Sequence, residues 1–420
     1  MTIQSLGSPS GSSASTCGYC SPPGQRSEAE SSYHVAGLHA TALSCEIYQK
    51  MIDRGWRRSG TWCYKPNLKA SCCPQYTIKL DARIFKASKS QRKLVNRWNR
   101  YVMLGKAGEA MDIEAEAKTS APHPPKPRKG HSFSIYTSIH ESELGFIDPK
   151  ETSLHTFETI IEPSSYSEEK YDLFKKYQST IHHDESTERG FKRFLVDSPL
   201  IEEHIPYTEL RPGHLPDNYG SYHQLYKLDG KLIAMGVIDV LPNCVSSVYF
   251  MYDVDWEEFS LGKLSALREI SLVREMQEAG APDMGYLYMG FYIHSCQKMR
   301  YKGEYSPSYL ADPETYEWFL ISTCLPLLDK HRYACFSSPQ HSLVGPPDSE
   351  TIDDAVKPPP PLDEEVLEHI RVVSRVRDGK IYTLPVNLSP YWEYDAFREG
   401  LLSCVQGLGI DVAKRIIFYL

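Results

Sequence analysis

Eleven cysteines are the first residues in this sequence that could do chemistry, and six of them crowd the first 73 positions: Cys17, Cys20, Cys45, Cys63, Cys72 and Cys73. Cys17-Gly-Tyr-Cys20 has the two-residue gap that lets two thiolates reach one metal, and Gly18 permits the tight turn. Cys72-Cys73, followed by Pro74, can supply two more thiolates where the backbone bends. Four thiolates satisfy either tetrahedral zinc or an iron–sulfur cluster, and ligand softness does not separate the two. Buried or redox-active thiols without metal are the alternative, and Cys45 and Cys63 read as small core residues. The Ser/Gly-rich start lacks a basic stretch followed by an apolar core, so no secretory signal is expected and an odd cysteine count argues against a disulfide framework.

The segment carrying these cysteines is also basic. Residues 51 to 106 hold fourteen Lys/Arg against Asp53 and Asp81, a local +12, whereas the whole chain sums to -8, so the remainder carries -20. The overall charge alone would argue against a nucleic-acid partner; the split suggests one region that attracts a polyanion and a body that does not. Arg54, Arg57 and Arg58 surround Trp56, Lys79 lies in the strand-like Tyr76–Leu80, and Lys89, Arg92, Lys93, Arg97 and Arg100 are spaced for one helix face. Arginines interleaved with an aromatic suit phosphate contacts beside a stacking surface, so this module is expected to face RNA.

These groups need elements to hold them. At 420 residues, 41% apolar and 24% charged, the chain suits two or three globular domains. It has no apolar run long enough to span a membrane. A disordered tail is expected at 1–16, a Cys-rich basic domain at 17–104 and a linker at 105–130. A catalytic body then spans 131–336, a Pro-rich linker or insertion 337–363, and a C-terminal segment completing that body 364–420. Within the body, Ser167–His182 reads as a helix with acids first and lysines last. Tyr222–Leu228 and Lys231–Val240 flank Asp229-Gly230, a hairpin signal, and Val245–Tyr252 is a third strand. A nearly all-apolar helix then runs from Gly262 to Ala279, followed by an aromatic strand Tyr286–Ile293.

Helix, antiparallel meander, glycine-led helix and strand is the element order of a GNAT-like acyltransferase core, so the expected class is α+β, with a largely antiparallel mixed sheet plus the small Cys-rich domain. In such cores a splayed strand pair admits the donor and the loop at Gly262 offers backbone N–H groups. Acetyl-CoA is not expected as the donor, because Leu261-Gly-Lys-Leu264 offers a single glycine.

Longer blocks then become recognisable. Cys17-Gly-Tyr-Cys20, Asp53-Arg-Gly-Trp-Arg-Arg-Ser-Gly60 and Cys72-Cys73-Pro-Gln-Tyr-Thr-Ile78 resemble the N-terminal signature of eukaryotic, fungal-type arginyl-tRNA–protein transferases. So do Gly236–Tyr249, Ser260–Ile270 and Tyr288–Gly303 in the body; Asp253-Val-Asp255 departs from the family's usual Asp-Pro-Asp. The resemblance implies transfer of arginine from Arg-tRNA to the α-amine of proteins beginning with Asp, Glu or oxidised Cys, marking them for degradation. It implies an iron–sulfur cluster or zinc on the N-terminal cysteines. The donor's guanidinium then needs a carboxylate: Asp253 ranks first, with Asp255 and Asp239 as further candidates. The acceptor's acid needs cations, for which His294, Lys298, Arg300 and Lys302 are candidates, and Tyr288 and Tyr292 could orient the amine or stack on adenosine. A cytoplasmic, also nuclear, mainly monomeric protein with at most weak self-association and no membrane partner is expected. An RNA-binding adaptor without catalysis and an acetyl-CoA-dependent acetyltransferase are the competing classes.

Overall fold

The computed structural model describes residues 4–20, 26–29, 32–105, 133–348, 350, 352–353, 357 and 360–419. The expected linker at 105–130 lies outside the described residues apart from Gly105. The chain forms two sheets. The first comprises β1 (Ser5–Ser15), β2 (Tyr33–Ala42), β3 (Arg57–Ser59) and β4 (Trp62–Pro66), in the order β4 beside β2 beside β1, with β3 outermost. The second uses β5 (Tyr76–Asp81), β6 (Phe157–Pro163), the two-residue β7 (Glu203–His204), β8 (Asn218–Leu228), β9 (Lys231–Leu241), β10 (Cys244–Tyr252), β11 (Tyr286–Tyr292), β12 (Ser308–Ala311) and β13 (Trp318–Leu320). Its order is β13-β12-β5-β11-β10-β9-β8-β6, with β7 on β8. The remaining strands, β14 (Arg371–Arg377), β15 (Lys380–Pro385) and β16 (Ile416–Phe418), return to the first sheet, where β16 pairs in parallel with both β1 and β14.

Three expectations about organisation are corrected by this pairing. Residues 5–15 are a strand, not a disordered tail: small side chains let β1 lie close to β2, where a Cβ on Gly7 would come within 2.8 Å of Leu38. Ser/Gly composition hides the strand because pairing with β2 along its length and with β16 at Ser5–Gly7, rather than side-chain propensity, holds it. The 17–104 segment is not self-contained, since β5 inserts between β11 and β12 in the body's sheet. Residues 371–418 complete the N-terminal sheet, not the catalytic one.

The three helices expected from the sequence form, beside others that it did not announce. The helix α1 (Cys45–Asp53) is capped by Ser44, and α2 (Lys89–Leu104) opens with a capping box between Ser88 and Gln91 and ends at Gly105, φ 67°. After the short α3 (Ile135–His140), α4 (Glu168–Tyr177) continues as a π turn to His182; α5 (Glu188–Phe191) is a single turn. The Asp229-Gly230 hairpin forms with φ of 50° and 78°, as its two-residue turn requires. The helix α6 (Leu261–Glu278), buried nearly all round, crosses from β10 to its parallel neighbour β11. No described helix is long and apolar enough to cross a membrane.

Candidate functional site

The centre of the second sheet opens. Strands β10 and β11 pair in parallel only from Cys244 to Ser246 against Tyr286 to Tyr288. Beyond that point β10 follows β9 and β11 follows β5, each through a register shift, at Ser247/Tyr249 and at Tyr288/Phe291. Gly290, with φ 65°, lies inside the second shift. Bulges bend and twist a strand away from its neighbour, so past Ser246 and Tyr288 the two strands part, leaving a cleft at the carboxyl end of the pair.

Polar groups rather than a neighbouring strand meet the backbone there. The Arg57 guanidinium donates to Gly290 O at 3.1 Å, and Lys302 Nζ donates to Phe291 O at 2.8 Å. Burial, with Arg57 nearby, pushes the Lys302 amine down to about 7. From below, Glu269 on α6 faces Ser247, the first residue past the last paired position; the Ser247 hydroxyl donates to its carboxylate at 3.4 Å. Glu269 is 1% exposed, and burial pushes its carboxyl up to about 8. No cation reaches it among the described residues. Asp312, likewise buried and without an ion pair among the described residues, instead accepts from the backbone N–H groups of Glu314, Thr315, Phe336 and Ser337. Sequence reasoning missed Glu269, although an acid on a helix apolar nearly all round was the available signal.

The three aspartates proposed for the guanidinium are already occupied. Asp239 is fully buried and accepts from Arg58 Nε at 2.9 Å and Nη2 at 2.6 Å. Asp253 caps the turn that begins at Val254 and meets Lys176 and Lys231, the latter at 3.1 Å. Asp255 lies 2.9 Å from the same Lys176. Each is a counter-ion, buried at Asp239 and Asp253 and at the surface at Asp255, a role that the linear sequence cannot display because the partner residues lie far away along it.

Several expected RNA contacts are likewise withdrawn from solvent. Trp56 is wholly buried and donates to Gly407 O at 3.0 Å; Arg57 and Arg58 are 6% and 4% exposed. Lys79 lies over the Trp318 ring at 3.9 Å, and burial lowers it to about 8. Lys89, Arg92, Lys93 and Arg97 do form an exposed basic face on α2, whose inner side buries Val95 and Trp98. Gly262 is the second residue of α6, beside the Phe250 ring of β10. Tyr288 is buried, with its hydroxyl donating to Asp53, so it is a core strut. Tyr292 is buried too, bonded to His294 at 3.1 Å, and His294 meets Asp329 at 2.9 Å while accepting from Arg300 through its carbonyl at 2.6 Å. Lys298 and Arg300 are exposed beyond the end of β11, whereas Lys302 turns its amine to Phe291 O.

The cysteines do converge. One ligand atom from each of Cys17, Cys20, Cys72 and Cys73 lies within 4.8 Å of the others, and the Cys20 and Cys72 sulfurs are 3.2 Å apart. Tetrahedral zinc with Zn–S near 2.3 Å needs sulfurs about 3.8 Å apart, so the four residues fit a metal. Ile293, Cys296 and Met299, just past β11, pack against the group. Cys45 and Cys63 are buried away from it, in the main core, as expected.

Two family models match, "Arginine-tRNA-protein transferase, N terminus" over residues 15–93 and "Arginine-tRNA-protein transferase, C terminus" over residues 169–312. An arginyl-tRNA–protein transferase 1 of Drosophila melanogaster is 36% identical over 77% of this chain and 84% of its own length. One from Arabidopsis thaliana is 30% identical over 77% and 74%. One from Saccharomyces cerevisiae is 34% identical over 65% and 50%. Insect, plant and yeast relatives alike support the family without favouring a fungal source. With its cysteine cluster assembled and both halves of the family pattern matched in order, the chain belongs to the arginyl-tRNA–protein transferases.

Proposed function

We propose that the chain moves arginine from Arg-tRNA to the N-terminal α-amine of proteins beginning with Asp, Glu or oxidised Cys, marking them for degradation, with the chemistry in the cleft between β10 and β11. Family membership supports the transfer. The observation that carries the placement is Glu269, a buried carboxyl under the cleft with no cation of its own among the described residues. A carboxyl in that position is stabilised as its anion only when a cation enters, and the guanidinium of the donor arginine is such a cation. Glu269 replaces Asp253, Asp255 and Asp239 in that role.

Transfer joins the acceptor nitrogen to the arginyl carbonyl carbon and breaks the ester bond to the ribose. The amine's proton leaves with the ribose hydroxyl. An α-amine has an ordinary pKa of about 7.7–8.0, so much of it is already neutral and positioning matters more than a strong base. Lys302, held near neutrality beside Phe291 O, is the titratable amine within the cleft. The strand opening followed by α6 supports a GNAT-like reading of the core, with the lone Gly262 arguing against acetyl-CoA. Zinc or an iron–sulfur cluster on Cys17, Cys20, Cys72 and Cys73 would tie the N-terminal segment to the end of β11 when bound. The exposed α2 face (Lys89, Arg92, Lys93, Arg97) would steer tRNA, and a mainly monomeric protein of the cytoplasm and nucleus fits this work.

Labelled Arg-tRNA and a peptide beginning with Asp test the reading. Transfer that is lost in Glu269→Gln supports it. Absence of transfer by the wild type under both reducing and metal-replete anaerobic conditions would sink it in favour of an RNA-binding adaptor.

A further inference from the structure

A second charge imbalance, opposite in sign, lies one strand from the cleft. A cavity of about 490 Å³ opens between the end of β4, the start of β5 and the loop after β12, within the size range of ligand pockets. Arg54, Lys65 and Lys69 stand on its wall. Lys69 is paired with Glu314 at 2.8 Å. Arg54 and Lys65 have no carboxylate partner among the described residues. Lys65 Nζ donates to the Tyr316 hydroxyl at 2.5 Å and weakly to Gly407 O at 3.4 Å. Arg54 lies over the Tyr316 ring at 4.2 Å and also donates to Gly407 O at 3.4 Å.

The acids that share the cavity do not neutralise them. Asp312 is taken up by four backbone N–H groups, and Glu314 also meets Tyr333 and His341 at 3.0 and 2.7 Å. Burial and the neighbouring Arg54 push the Lys65 amine well below its usual range. Two adjacent cations without a counter-ion are costly, so the empty cavity favours the neutral Lys65 amine, and an entering anion restores its charge.

The cavity and the cleft flank neighbouring strands. Thr77 lines it and pairs in register with Phe291, whose carbonyl receives Lys302; Arg54 precedes by three residues Arg57, which bonds Gly290. We infer that Arg54 and Lys65 form the subsite that takes the side-chain carboxylate of the acceptor's first residue, presenting its α-amine toward the β10–β11 opening. This rests on the transferase reading above and names a specificity determinant for the acceptor.

The test uses the full chain with Lys65→Met and Arg54→Gln, each checked for a wild-type thermal melt, and peptides beginning with Asp or Asn. The subsite predicts that either variant raises KM for the Asp peptide at least tenfold, while the Asp-over-Asn preference collapses and Arg-tRNA affinity stays put. An unchanged Asp-over-Asn preference overturns it, and a fall in Arg-tRNA affinity with that preference intact assigns the cations to an RNA phosphate instead. If the wild type transfers no arginine, the transferase reading fails separately. Direct binding of the labelled Asp peptide to wild type and Lys65→Met then reads the subsite alone, and equal affinities overturn it. If one variant melts early, the other carries the same outcomes.

Discussion

The cleft and the cavity beside it are built on opposite debts of charge. Beneath the cleft, Glu269 is a buried anion-former with no cation; in the cavity, Arg54 and Lys65 are cations with no carboxylate among the described residues. Other buried charges are matched in pairs: Arg58 clasps Asp239 through two hydrogen bonds, and Arg268 donates to Glu143 at 2.8 Å while His140 takes the same carboxylate; Arg57, Lys302 and Asp312 are instead held by backbone groups. Matched pairs hold strands and helices together. Unmatched groups leave a vacancy whose sign specifies what can fill it, and on the proposals above the two vacancies take a guanidinium and an acidic first residue.

Disturbing a matched pair should have the largest effect. Asp239→Asn leaves Arg58 charged and buried, and loss of about 3–5 kcal/mol is expected in denaturant unfolding; a variant as stable as wild type would dissolve the distinction between matched and unmatched charge. Next in size, Glu269→Gln should lower kcat/KM for Arg-tRNA about 100-fold, a loss of roughly 3 kcal/mol within the range for a buried charged contact. Its folded stability should not fall. An equal loss with a non-cationic aminoacyl donor would show that Glu269 does not read the guanidinium.

The pH dependence separates the signs. The Glu269 carboxyl stays protonated in the fold up to about 8 but ionises near 4.5 when unfolded, so the native state holds the extra proton between those values. Stability conferred by this site falls as pH rises through that window, by up to about 1.4 kcal/mol per pH unit, and levels off above it. Glu269→Gln should therefore gain on wild type in thermal melts at pH 8 and match it near pH 4.5. Lys302 does the reverse: its amine gives up its proton near 7 in the fold but near 10.5 unfolded, so its contribution rises between those values. Lys302→Met should flatten that rise. Smallest of all, neutralising Lys89, Arg92, Lys93 and Arg97 together should weaken tRNA binding and reduce its salt slope by about 0.9 for each phosphate no longer neutralised, with both vacancies and the transfer step at saturating tRNA unaffected. An unchanged slope would remove α2 from the RNA surface.

Much of this was legible from local pattern. The cysteine pairs, the Asp229-Gly230 hairpin and the apolar α6 rest on neighbours close in sequence, so spacing alone placed them. The basic count between residues 51 and 106 was sound, but its meaning was mixed: Arg57 and Arg58 are internal, while the α2 residues are external. No spacing rule tells a buried arginine from an exposed one when its counter-ion, Asp239, comes from another part of the chain. Asp253 drew attention because it follows a strand, and Lys176 and Lys231, which satisfy it, lie on separate elements. Glu269 was hidden differently, since its role follows from what it lacks.

The pairing of Ser5–Gly7 with Ile416–Phe418 carries a consequence for synthesis. On a ribosome, β1 can meet β2 early, but the other edge at Ser5–Gly7 stays open until residues 416–418 have emerged, some four hundred positions later. Contacts this distant along the chain form late, and an open edge invites association with other strands. The nascent N-terminal sheet must therefore stay soluble through that interval, and a chain stopped short of residue 416 would be released with that edge bare.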